Sequence, residues 1–177
     1  MASTQEMQWV LRAQCRDREA FEALLRSVQP SLRRYLLGLV GSTDADDLQQ
    51  DVLITVVRRL GSLEDPGLFR PWLFRIASRE AFRHIRKRRR WQEQHQADPQ
   101  LDRLPSPEAP PMVDVLRLLS TDIVSPASRA VLILHFQEEM SLPDVAAILE
   151  IPVGTAKSRL AYGLRLIRNH LASGRLA

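Results

Sequence analysis

Apolar residues recur every three or four positions through most of the 177-residue chain, the spacing that gathers them on one face of a helix. Near the start, Trp9, Val10 and Ala13 follow Ser3 and Glu6, which have capping-box spacing. Asp17 can cap a stretch carrying Ala20, Phe21, Leu24, Leu25 and Val28. Pro30 is then expected to begin a separate helix through Tyr35, Leu36 and Leu39, ending at Gly41. Thr43 precedes a helix predicted from about Asp44 to Leu60, with Leu48, Val52, Ile54, Val56, Val57 and Leu60 apolar and Gly61 as its stop. A long helix near 71–90 should turn Trp72, Leu73, Ile76, Ala77 and Ile85 inward. Further helices are predicted near 112–121, 126–137, 142–149 and 154–171. Period-two alternation of β-branched residues is absent, so the expected fold class is all-α.

The helices form two groups. Five of the 11 prolines lie between Pro99 and Pro111, in a stretch with almost nothing to bury. Prolines this dense remove backbone donors and restrict their neighbours, so 93–111 reads as a semi-rigid linker spanning roughly 24 Å as a coil. Two small helical domains, 1–92 and 112–177, are therefore expected on a Pro-rich tether.

Charge follows the same division. The first 92 residues carry 17 basic and 11 acidic side chains, the linker one and four, and the remainder seven and six. The total is +4, which favours a polyanionic partner. Apolar residues make up 45% of the chain, enough for a core. Apolar runs reach only five residues, as in Ala130 to Leu134, against the ~20 that a membrane span needs, so no membrane insertion is expected. No basic start followed by an apolar stretch suggests a leader, and a lone cysteine, Cys15, fits a reducing cytoplasm.

Three features carry candidate chemistry. Ser141 to Asp144 has cap spacing, Val145, Ala146, Ile148 and Leu149 give a short buried face, and a turn at 150–154 leads to Thr155, Lys157, Ser158, Arg159 and Arg165. That is the pattern of a helix-turn-helix whose second helix presents donors to guanine edges and phosphates; an ordinary hairpin with a solvated cationic face is the plainer alternative. The second feature is the run Arg83, Arg86, Lys87, Arg88, Arg89 and Arg90, followed by Trp91. Upstream of it, Phe69, Trp72 and Phe74 are interleaved with Arg70, Arg75 and Arg79. Such cations repel one another unless a polyanion or the helix C-terminus stabilises them, and aromatics among arginines can hold unstacked bases. The third is the acidic group Asp44, Asp46, Asp47 and Asp51, readable as helix-start stabilisation, a protein-docking surface or a divalent-metal nuclease site. The four histidines lack ligand spacing, and there is no glycine-rich phosphate loop or nucleophile elbow, so no catalytic residue, metal or cofactor is expected.

Residues 44–53 resemble the region 2.2 signature of bacterial sigma factors, residues 69–77 running into the arginine-rich helix resemble regions 2.3 and 2.4, and residues 151–160 resemble region 4.2. The short linker between only these two domains is similar to the extracytoplasmic-function group. The resemblance covers roughly 5–92 and 112–172. It implies a promoter-specificity subunit that binds core RNA polymerase and promoter DNA, with an anti-sigma factor as a further partner. It also implies a polymerase-docking face of Asp47, Gln50, Asp51 and Leu53. Contacts to the melted −10 element would come from Phe69, Trp72, Arg75, Arg79, Arg83, Arg86 and Lys87. Contacts to the −35 major groove would come from Thr155, Lys157, Ser158, Arg159, Tyr162 and Arg165. A stand-alone helix-turn-helix regulator is the alternative.

Departures from the family pattern are specific. Arg79 and Arg83 stand where the −10 helix often has asparagine and aspartate, Tyr162 and Leu164 where arginines are common, and Glu150 where the turn usually has glycine. The last disfavours the left-handed turn, because a Cβ crowds the following carbonyl. Protection of the −35 element should therefore be weaker or altered; a footprint titrated against salt that showed ordinary protection would refute this.

Overall fold

The computed structural model describes residues 4–94 and 123–172; the expected cap Ser3, the linker beyond Gln94 and the helix expected near 112–121 lie outside them. The first group of helices is α1 (Thr4–Gln14), α2 (Arg18–Val40), α3 (Ser42–Arg59) and α4 (Phe69–Gln94), with two 3-10 turns, Leu60–Ser62 and Pro66–Leu68, between α3 and α4. The second group is α5 (Pro126–Phe136), α6 (Leu142–Leu149) and α7 (Val153–Ala172). No strand occurs among the described residues.

Pro30 does not begin a helix but lies inside α2. The apolar positions Leu24, Val28, Leu32, Leu36 and Leu39 keep helical spacing across it, and all are buried. Pro30 itself sits on the exposed face, where water can take the carbonyl that its ring leaves without a donor. Core burial along five turns outweighs one missing backbone bond. Asp17 caps α2 as expected, accepting from the Ala20 amide. Gly41, at φ 83°, makes the sharp passage from α2 to α3 that a residue with a Cβ would resist.

Phe69, Leu73, Phe74, Ala77 and Ala81 put one face of α4 into the core, where the Tyr35 and Phe74 rings meet edge to face at 5.3 Å. Ser78 Oγ donates its single proton to the Phe74 carbonyl at 2.7 Å, so the 2.6 Å contact with Tyr35 must have the phenol as donor. Burial pushes that phenol far above its ordinary range, and the bond to Ser78 opposes the shift. From α1, the Gln14 amide donates to the carbonyls of Leu60 and Leu63 at 3.0 and 2.7 Å and so fastens the loop leading into α4.

In α5, every residue from Ser128 to Leu134 is buried. A helix lying on a single surface would leave one side in water, so burial all round requires two surfaces. Both contacts are visible: Leu132 packs where α7 has Gly163, and Ile133 packs where α2 has Gly38. The second group of helices is thus seated on the first through α2 and α4. Phe74→Ala is expected to lower stability by about 3–5 kcal/mol, seen as a lower urea midpoint at unchanged slope.

Candidate nucleic-acid and polymerase-docking surfaces

Because α4 buries positions 73, 74, 77 and 81, its opposite face is left to solvent. Along it, Trp72, Arg75, Arg79, Arg83, Arg86 and Arg90 succeed one another at three- and four-residue spacing, a stripe about 27 Å long at 1.5 Å per residue. Trp72 and Arg75 are half-buried; the four arginines beyond them are exposed. Phe69 departs from expectation. It has no exposed surface and packs in the core with Phe74, which leaves it no face for a base; the Trp72 ring lies 6.2 Å from it. Two of the expected cations have partners of their own. Arg83 pairs with Glu80, and Arg79 pairs with Glu150 of the other helical group.

Beyond Arg83 the basic run splits by side. Arg88 reaches Asp44 of α3 at 3.2 Å and Arg89 reaches Glu93 at 2.8 Å. Arg83, Arg86, Lys87 and Arg90 instead line an open groove with Trp91, whose indole is 57% exposed. Helical phase decides which cations stay available to a polyanion.

The acidic group on α3 divides in the same way. Asp44 lies 3.1 Å from His84 and beside Arg88, tying α3 to α4. Asp46 takes two bonds from Arg33 on α2, at 2.8 and 3.3 Å, and this guanidinium lowers its pKa. Asp47, Gln50 and Asp51 face solvent, with Leu53 half-buried beside them. Ile54 and Val57, 47% and 53% exposed, continue their face. The sequence marks these two only as apolar positions of the helix; they are out of phase with Ala45, Leu48, Val52 and Val56, which are the buried ones. The result is an acidic patch grading into an apolar one. Among the described residues no group of three metal-ligating side chains comes together.

Ser141 caps α6, accepting from the Asp144 amide at 3.3 Å, and Ala156 closes the contact of α7 with its neighbours. Lys157, Ser158, Ala161, Tyr162, Arg165 and Arg168 form the exposed face of α7, while Thr155 and Arg159 are half-buried at its edge. The Arg165 guanidinium lies over the Tyr162 ring at 5.3 Å, which positions both. Ser158 Oγ donates to the Gly154 carbonyl at 2.9 Å. Glu150 does adopt the left-handed conformation, at φ 55° and ψ 45°. Its bond to Arg79, and more weakly the charges of Arg79 and Arg75, lower its pKa.

A capped helix-turn-helix beside a cationic, aromatic helix face defines a two-module DNA-binding protein. The sigma-70 region 2 family matches residues 24–91 and the sigma-70 region 4 family matches 124–167. The chain is 30% identical to the RNA polymerase sigma-E factor of Streptomyces coelicolor, over 86% of each chain. It is 28% identical to the RNA polymerase sigma-H factor of Pseudomonas aeruginosa, over 90% of each. Among solved structures, the sigma factor RpoE of Bartonella quintana, in complex with the anti-sigma factor NepR, superposes with a TM-score of 0.74. That similarity covers 88% of this chain and 98% of that one, at 27% identity. The chain belongs to the extracytoplasmic-function group of the sigma-70 family, whose members are promoter-specific transcription-initiation subunits.

Neutralising Arg86, Lys87 and Arg90 is expected to lower the salt slope of promoter binding by about 0.9 for each phosphate that is no longer neutralised. Neutralising Arg88 and Arg89 should change the slope less, because both have acidic partners within the chain. Equal slopes for the two variants would refute this division.

Proposed function

We propose that the chain directs core RNA polymerase to promoters through three surfaces, one for each contact, and performs no chemistry itself. The observation that carries the reading is the stripe from Trp72 to Arg90, which is cationic and aromatic on the one face of α4 that the core does not use. Trp72 can stack on an extruded base, Arg75, Arg79, Arg83 and Arg86 can follow the single strand beside it, and Lys87 can meet the adjoining phosphates. Lys157, Ser158, Tyr162 and Arg165 on α7 enter the −35 major groove, with Thr155 and Arg159 at its edges where phosphates lie.

Asp47, Gln50, Asp51 and Leu53, together with Ile54 and Val57, form the polymerase-docking face. An acidic patch joined to an exposed apolar one suits a basic, partly apolar helical surface on the large enzyme, where charge steers the encounter and apolar contact holds it. The relative crystallised with an anti-sigma factor supports a similar inhibitory partner for this chain. No described helix is long and apolar enough to cross a membrane, and the cytoplasm is where polymerase and promoter are found.

Changing both Asp47 and Asp51 to lysine should abolish co-elution with core RNA polymerase on gel filtration while leaving the helical circular-dichroism signal intact. A folded double variant that still co-elutes refutes the docking assignment. Failure of the unaltered protein to co-elute would refute the polymerase-docking reading as a whole.

A further inference from the structure

Arg79 and Glu150 each depart from the family pattern, and the structure puts them together. Arg79 lies at the middle of the α4 stripe; Glu150 is the left-handed residue of the helix-turn-helix turn. Both side chains are more than half exposed, so neither is forced into the contact by burial. Two bonds join them, Nη2 to Oε1 and Nε to Oε2, the second at 3.3 Å. Arginine presents the same fork to a phosphate.

The rest of the interface fits a surface made for this seat. Where Ile133 of α5 lies against α2, the α2 residue is Gly38, and a Cβ there would overlap the end of the isoleucine side chain. On the same side, Glu138 follows α5 with its side chain only 5% exposed, 3.9 Å from Arg34 and 3.8 Å from Arg70. Arg70 in turn bonds the buried Glu6 of α1 at 2.9 Å. Apolar contact, a close approach at glycine and ion pairs thus all join the two modules.

We infer that Glu150 is an internal substitute for DNA: its carboxylate occupies the Arg79 guanidinium in the free subunit, closing the helix-turn-helix module over the −10 face. The inference rests on the proposed role of Arg79 at the −10 element. DNA must displace Glu150, and the apparent affinity of the free subunit for single-stranded DNA is reduced by the fraction of molecules that are closed. A glycine at 150 would ease the turn but provide no carboxylate, which gives the departure from the family pattern a purpose. Because the pair is exposed, salt weakens it along with the DNA contacts it replaces.

The test is a double-mutant cycle on the full-length protein, read as binding to a fluorescein-labelled 12-nucleotide single-stranded DNA of mixed sequence. Glu150→Gln keeps the turn and removes the charge. It should tighten binding about two- to five-fold, the range for an exposed ion pair. The same change in an Arg79→Gln background should give no gain. A gain of equal size in both backgrounds would mean only that one negative charge was removed, and would overturn the inference; so would the absence of any gain. If Arg79→Gln by itself leaves binding unchanged, the −10 role of Arg79 fails with it, an outcome separate from the other two. Gly38→Leu provides an independent check, since it wedges α5 away from α2 with Arg79 and Glu150 intact. It should raise the radius of gyration in solution scattering and also tighten DNA binding. An unchanged radius and affinity would overturn the closed seat.

Discussion

The arrangement of this protein depends on α4, a helix that has to be two things along one axis. Its first half is core, with Phe69, Leu73, Phe74, Ala77 and Ala81 packed against α2 and α3. Its second half carries six cations in eight residues, from Arg83 to Arg90, which cannot follow the first half inside. Taking one such cation out of water without a partner costs several kcal/mol, more than any helix turn recovers by packing. The helix must therefore extend over the bundle with its cations in solvent, and only those reachable from α3 or along α4 are neutralised. Both the exposed cationic stripe and the seat of the second module are fixed by where α4 passes from one condition to the other.

The second module is held by contacts of different character. Ile133 beside Gly38 is shape: two helices approach closely because one has no side chain there. Glu138 between Arg34 and Arg70 is electrostatic, and it is not fully satisfied, since neither arginine comes within hydrogen-bond distance and one of its oxygens has no bonded donor. Burial raises the pKa of Glu138, and the two arginines pull the other way. A buried ion pair of this kind specifies an arrangement more than it stabilises one. The seat is thus precise without being strong.

The α3 helix shows how much of a functional surface can be read from composition and where such reading stops. The cluster of four aspartates was legible, and so was its use at a helix start. Which of them are free was not, because Arg33 and His84, the partners of Asp46 and Asp44, come from helices whose packing had to be known first. The outward position of Ile54 and Val57 was not legible for a related reason: which apolar residues of a helix face the core depends on its phase, and that phase is set by the neighbours that bury Leu48, Val52 and Val56. Phe69 erred in the opposite direction, since an aromatic among arginines resembles a stacking residue until its burial is known.

By itself the sequence determined the all-α class, the two modules, the caps at Asp17 and Ser141, the helix-turn-helix and the family, because these rest on local spacing and on residue chemistry that operates over a few turns. Even the left-handed strain at Glu150 could be read that way. The continuity of α2 through Pro30, the free side of each charged helix and the meeting of Arg79 with Glu150, 71 residues apart, were decided only by the tertiary structure. Each of those depends on which surfaces exclude water together, and no window along the chain contains both sides of such a contact.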